Sequence, residues 1–309
     1  MTTIPVSLDQ FLENKTCIIL GAGASVDFSL PLWTELRPML VTHIQDYSKN
    51  SEERKHWLKV LQVSTESTTV DELAMEARND QEFHFLQRNL SEIILDGEKK
   101  RHEKDNWVSL LARAVGRRLI NNESKALQYA SNLSVVSLNY DRCFNHYFSK
   151  GIKEALHEKY KRPRITQGHY EVIEEQIENV LHPHGCIGQL NSKKHIRNKL
   201  EGPQSSNDVY DIVVEFGGRF ATGYTPPIFP IDEMKLPRFS SNRIYLESNI
   251  AIKNSKYCIC IGVSPFGLEQ SLLDFSLAKK VFYSGKEQVF SNFIPLDMYA
   301  KPFIKELIS

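Results

Sequence analysis

The sequence predicts an α/β fold built on a mostly parallel sheet with a helical insertion, and three observations predict it. Short apolar runs at 16–20 (TCIIL), 134–138 (SVVSL) and 257–263 (YCICIGV) lack the polar alternation of a half-exposed strand. Such runs suit strands covered on both faces, as in parallel sheets. Segments of helical period separate them, which is the pattern of strands joined by helical crossovers. The chain has 309 residues, enough for two ordinary domains or one large α/β domain carrying an insertion. We expect a single domain over 1–309, with helices inserted at about 47–130 between the first strand–helix unit and the remaining strands.

In chain order, the β-branched run 16–20 stops at Gly21. A helix is expected from Leu32, with Trp33, Leu36, Leu40 and Ile44 on one face. Residues 52–120 read as mostly helical, through Trp57, Leu58 and Leu61, then Leu73 and Ala74, then Phe85, Leu86, Ile93 and Ile94, then Leu110, Leu111, Val115 and Leu119. The run EKKRHEKD at 98–105 reads as a solvated loop or helix end. After the strand 134–138, residues 140–149 read as a helix, and 178–183 lead into His184-Gly185. A further strand is expected at 209–216, an ordered Pro- and aromatic-rich loop at 223–239, helices at 242–254 and 267–279, strands at 280–283 and 292–296, and a closing helix at 299–308.

Composition narrows the classes. Hydrophobic residues make up 41% and charged residues 25%, which excludes a disordered tail, a collagen and a membrane bundle. Lys and Arg number 38, as do Asp and Glu, so no global basic surface exists to neutralise phosphates and no direct nucleic-acid binding is expected. The basic segment KKHIRNK (193–199) reads as a solvated loop, with a local contact to an acidic partner or nucleic acid as the alternative. Five cysteines make no disulfide framework. Cys258 and Cys260 share one strand face and read as core thiols. With no signal-peptide pattern and no apolar stretch near 18 residues, we expect a cytoplasmic protein without a membrane anchor.

Four candidate sites fall at strand ends. Gly21-Ala22-Gly23-Ala24-Ser25 follows a strand and precedes a helix, the context of a phosphate-binding turn. The third glycine of the dinucleotide fingerprint is missing, since Val26 holds its place, so a tight structural turn is the equal alternative. Asn139 and Asp141 leave the second strand and could face a ligand crevice or cap a helix. His182-Pro183-His184-Gly185 offers an HxH pair without further metal ligands, a general base at His184, or simply a loop histidine with its hydrogen bonds satisfied. Gly262-Val263-Ser264 repeats the logic of the first turn. One crevice would gather all four.

These motifs, in this order, resemble the sirtuin superfamily, which carries GAGxS with a following Ile-Pro, then NID, then His-Gly, then GTS. Gly21, Gly23, Ser25, Leu30-Pro31, Asn139, Asp141, His184-Gly185, Gly262 and Ser264 stand at those positions. Ser29 replaces a glycine, and Leu32 and Trp33 replace Asp-Phe. The two CxxC pairs of the sirtuin zinc module are absent, so no metal is expected. These departures resemble the bacterial sirtuin-like NADases of antiphage defence.

The resemblance implies a Rossmann-like sheet and NAD⁺ as substrate. It implies catalytic roles for Asn139 and His184, with Gly21, Ala22, Gly23, Ala24, Ser25, Pro31, Asp141, Gly262 and Ser264 binding the dinucleotide. Asn139 would hold the nicotinamide ribose or the attacking water, Asp141 the carboxamide, and His184 would act as general base. It also implies gating through a homo-oligomer and through a protein partner of the same operon, such as an ATPase, an Argonaute-like protein or another sensor. Two other readings compete: an NAD-dependent deacylase or ADP-ribosyl transferase, and a non-catalytic nucleotide-binding assembly module. A dehydrogenase is disfavoured by the incomplete fingerprint.

Overall fold

The computed structural model describes residues 6–46, 51–65, 70–99, 106–159, 173, 176, 179–187, 189–190, 213–214, 243–264, 273–276, 278–284 and 293–309. The basic segment 193–199, the loop 223–239, positions 100–105, most of 209–216 and the Trp33 side chain lie outside them. Six strands form one parallel sheet: β1 (Thr16–Leu20), β2 (Leu133–Ser137), β3 (Val180–Leu181), β4 (Tyr257–Ile261), β5 (Val281–Tyr283) and β6 (Phe293–Pro295). Their spatial order is β3-β2-β1-β4-β5-β6, with all five pairings parallel. This is the doubly wound order of a Rossmann-like sheet, and it reverses direction between β1 and β4. A separate parallel pair joins Gln189–Leu190 to Val213–Val214.

The apolar runs are apolar because both faces of the sheet are covered. All five residues of β1 and of β4 are buried. On one face, Ile18, Leu20, Val135, Ile259, Ile261 and Phe282 meet the larger core. On the other, Cys17, Ile19, Val136, Cys258, Cys260 and Tyr283 meet Ile252, Leu273 and Phe275. Cys17 lies in register with Cys258, and burial pushes the Cys258 thiol up to about 12. The expected core thiols are therefore unreactive packing groups.

Helix α1 (Leu8–Glu13) precedes β1, and the described residues between β1 and β2 carry α2 (Trp33–Asp46), α3 (Glu52–Val63), α4 (Val70–Met75), α5 (Asp80–Glu98), α6 (Trp107–Asn121) and α7 (Ala126–Asn132), with two 3-10 turns among them. Leu36, Leu40 and Ile44 of α2 are buried at the spacing the sequence indicated. α8 (Cys143–Lys159) follows β2, α9 (Arg243–Asn254) precedes β4, and α10 (Ala300–Ile308) closes the chain. The inserted helices do not form a core of their own: Trp57, Leu90, Leu111 and Leu119 share one apolar cluster with the sheet. α6 and α8 approach closely because Gly116 faces Ala155 and Gly151 faces Ala112, where an added Cβ would sit 2.7 and 2.6 Å from the opposing methyl.

Two expectations need correction. Residues 273–276 and 278–280 are not helical; 265–272 lie outside the described residues. Asp274 instead caps a turn, accepting from the Ser276 N–H at 2.9 Å. Glu98, assigned to a solvated charged run, is buried against Arg142.

Candidate functional site

Strand register is what gathers the motifs. Leu20 pairs with both Ser137 and Ile261, so the next residues on three neighbouring strands are Gly21, Leu138 and Gly262. Val136 pairs with Leu181, which brings His182 beside them. The four sequence motifs thus leave the carboxyl ends of β1, β2, β3 and β4, at and beside the reversal of strand order where doubly wound sheets bind ligands.

The two glycine turns lock together through backbone alone. The Gly21 N–H donates to the Ile261 carbonyl at 3.0 Å and the Gly23 N–H to the Gly262 carbonyl at 2.8 Å. An added Cβ on Gly21 would lie 2.7 Å from the Gly262 oxygen, and one on Gly262 would lie 2.0 Å from the Ala24 nitrogen. Gly262 also has φ +63°, a left-handed conformation that glycine adopts without strain. The helix that follows is a 3-10 helix, Ala22–Phe28. Of its leading amides, Gly23 is committed to Gly262, and Ala24 donates to the Gly21 carbonyl at 2.9 Å. The Ala22 N–H, at the first helical position, has no protein partner among the described residues. It is the amide of this turn left for an anion.

A side-chain network sits on the turn. The Ser25 hydroxyl donates to Asp141 Oδ2 at 2.8 Å. Asn139 Nδ2 donates to the Gly21 carbonyl at 2.9 Å and to Ser25 Oγ at 3.0 Å. A carbonyl must accept, so the amide orientation is fixed with Oδ1 pointing away. Asn139 Oδ1 has no protein partner among the described residues. Asp141 Oδ1 accepts from the Cys143 N–H at 2.9 Å, at the start of α8. The helix-end reading of the Asn-Asp pair is seen in Asp141, which bonds the first amide of α8 and also holds Ser25. Burial raises the Asp141 carboxyl to about 6, against the lowering effect of the Ser25 and Cys143 hydrogen bonds.

The histidines stand against the same segment. His182-Pro183-His184-Gly185 is a tight turn, with the Gly185 N–H donating to the His182 carbonyl at 2.9 Å and Gly185 at φ 78°. His182 Nδ1 donates to the Asn139 carbonyl at 3.0 Å. His184 bonds the Leu138 backbone, and burial holds it down to about 4. Its Nε2 is buried without a partner. The bond to Leu138 therefore uses Nδ1–H, and the lone pair lies on Nε2. His184 is thus neutral across the physiological range, with its acceptor unspent. His182 is likewise held near 4, chiefly by burial. Among the described residues no group of three or more His, Cys, Asp or Glu could hold a metal ion.

The predicted residues divide by position. Gly21, Gly23, Ser25, Asn139, Asp141 and Gly262 touch one another, and His184 is joined to them through Leu138. Ala24 is buried, and its carbonyl accepts from Trp107 Nε1 at 2.8 Å. Ser264 is exposed at the end of the second turn. Pro31 lines a separate cleft of about 410 Å³ with Pro38, Met39, His43 and Ile93 of α2 and α5. Two residues escaped sequence reasoning. Neither Trp107 nor Arg142 belongs to a motif the sequence offers. Arg142 follows Asp141 and forms a buried pair with Glu98, Nη2 to Oε2 at 2.6 Å. Neither carries a sequence signal, because both act through contacts distant along the chain.

No protein-family model matches the chain, and no curated protein matches it. Three chains of solved structures do. One belongs to a study titled "Structural Basis for the Mechanism and Regulation of Sir2 Enzymes"; the match covers 96% of this chain and 92% of that one, at 12% identity and a TM-score of 0.41. A likeness at that score says nothing about chemistry. No helix among the described residues is long and apolar enough to cross a membrane.

Proposed function

We propose that this protein is an NAD⁺ glycohydrolase that breaks the nicotinamide–ribose bond, and that it is the NAD-depleting effector of a bacterial antiphage defence system. One observation carries the reading of the chemistry. A buried, neutral imidazole with an unspent Nε2 lies at the same strand ends as a glycine turn with a free amide and an Asn-Asp-Ser network. The place in defence rests on the resemblance of the sequence motifs alone.

In this reading the pyrophosphate meets the Ala22 N–H, and the Gly262–Ser264 turn flanks the adenosine ribose. Asn139 Oδ1 accepts from the nicotinamide ribose or from the attacking water. The Asp141 carboxylate, which already accepts from the Ser25 hydroxyl and from the N–H and thiol of Cys143, keeps one acceptor site for the carboxamide N–H₂. The transition state spreads positive charge over the ribose. Nicotinamide departs neutral, so the leaving group needs no acid. His184 Nε2 takes a proton from a ribose hydroxyl or from water, a contribution of roughly 10²–10⁴-fold.

The experiment is to incubate the purified protein with NAD⁺, alone and with its genomic neighbours, and to follow free nicotinamide. Wild type should release nicotinamide and ADP-ribose without any acylated peptide, and His184→Ala should not. A His184→Ala protein as active as wild type would remove the assignment. Turnover only with acylated peptide would favour the deacylase. Bound but unconsumed NAD⁺ would favour an assembly module.

A further inference from the structure

The corner between α5 and α6 touches both loops that carry the Ser25–Asp141 contact, and it does so with buried polar groups. Glu98, the last residue of α5, accepts from the Arg142 backbone N–H at 2.8 Å and from its guanidinium, Nη2 to Oε2 at 2.6 Å and Nε to Oε1 at 3.3 Å. Arg142 is the residue after Asp141. Trp107, the first residue of α6, donates from Nε1 to the Ala24 carbonyl at 2.8 Å. Ala24 is the residue before Ser25. Asn106 caps α6, accepting from the Ser109 N–H at 2.8 Å, and so fixes where Trp107 begins the helix. The end of α5 also abuts the loop after the 3-10 helix, where a Cβ on Gly97 would lie 2.4 Å from Leu30 Cδ2. The chain of contacts runs from Trp107, at the start of α6, through Ala24, Ser25, Asp141 and Arg142 to Glu98, at the end of α5.

We propose that the α5–α6 corner is a clasp that sets the approach of Ser25 to Asp141, with Trp107 and Glu98 as its positioning residues. Two segments that leave different strands, with Ser25 and Asp141 116 positions apart, are each held by a residue at the end of α5 or the start of α6. Neither group would be buried there at no cost: an unpartnered Trp N–H or carboxylate in an apolar interior is unfavourable. The Trp107 ring packs against Phe144, centroids 5.9 Å apart, so its place in the core does not depend on its N–H. The hydrogen bond can therefore be removed while the packing stays. The clasp also makes the inserted helices the route by which a protein docking on them would reach the site.

The test is a double-mutant cycle between Trp107→Phe and Ser25→Ala, read by carboxyl NMR titration of Asp141. The groups that face this carboxyl are the Ser25 hydroxyl, the Cys143 N–H and thiol, and Glu98 with its partner Arg142, and Trp107→Phe leaves all of them in place. Loosening the Ser25 contact should move the titration of Asp141 upward in Trp107→Phe, in the same direction as in Ser25→Ala. In the Ser25→Ala background, Trp107→Phe should then add nothing. Replacing Trp107 with benzothienylalanine, which keeps the bicyclic ring and lacks the N–H, gives the same comparison should the Phe variant fold poorly. An unmoved titration, or equal shifts in both backgrounds, would overturn the clasp. Its bearing on turnover rests on the proposed NAD⁺ hydrolysis. There Trp107→Phe should lower kcat about fivefold to tenfold, the value of one net hydrogen bond, with KM little changed. Should wild type leave NAD⁺ intact, that function fails while the Asp141 titration still decides the clasp.

Discussion

Asn139 combines two structural hydrogen bonds with an acceptor that the proposed function puts to use. Its amide nitrogen ties the Gly21 carbonyl to the Ser25 hydroxyl, and its oxygen is left over. Asn139→Asp replaces the donor with an acceptor opposite a carbonyl oxygen. We expect a loss of about 1–3 kcal/mol in urea unfolding, the cost of an unsatisfied or repelled polar group, together with loss of nicotinamide release. Asn139→Ala should cost less stability and abolish release as fully. Equal stability of Asn139→Asp and wild type would show that the nitrogen does not face the carbonyl. The sequence made Asn139, Asp141 and His184 visible because each is a polar residue at the end of an apolar run. It could not show that Asp141 serves two partners, nor that Glu98, inside a run of charges, lies buried. Periodicity describes which face of its own element a residue takes, and these facts depend on elements distant in sequence.

At the scale of the element, short strands and close packing divide what was legible from what was not. β1 and β4 stand out as unbroken apolar runs because helices cover both faces. β3 is two residues long and has no pattern to read; it was located only by the His-Gly that follows it. The contact of α6 with α8 is likewise silent in the sequence, since a glycine inside a helix usually only weakens it. Here Gly116 makes room for Ala155. Gly116→Ala should therefore destabilise by about 1–3 kcal/mol through overpacking, although alanine is the better helix former. Adding Ala155→Gly should recover part of that loss by removing the opposing methyl. If Gly116→Ala raises the unfolding midpoint, helix propensity outweighs the contact and the close approach is misplaced. A parallel case joins the two glycine turns. Gly262→Ala puts a Cβ against the Ala24 nitrogen in a left-handed residue, and should separate the turns and, on the proposed function, abolish NAD⁺ binding measured by calorimetry.

For the molecule as a whole, the buried site sets the response to acid. His182 and His184 are held near 4, against an ordinary 6.5. Between those values the unfolded chain binds protons that the folded chain refuses, so each histidine's contribution to stability is lost as pH falls through that window. A depression of this size corresponds to roughly 3 kcal/mol per fully buried histidine. Asp141 acts in the opposite sense. Raised to about 6 from an ordinary 3.8, it takes up a proton when folded that the unfolded chain leaves off, which favours the folded state as pH falls from about 6 to 4. Within the site two histidines outweigh one carboxyl, so the site's own response to acidification is destabilising. The urea midpoint should fall between pH 7 and pH 4.5. His182→Asn should flatten that slope by about half of the histidine contribution, because asparagine keeps a hydrogen-bonding head and cannot titrate there. His184→Asn should flatten it equally if both imidazoles are buried neutral. A midpoint that stays constant over this range, or a slope unchanged in both variants, would mean that water reaches the imidazoles, and the unspent Nε2 of His184 would then be hydrated rather than held ready for a hydroxyl.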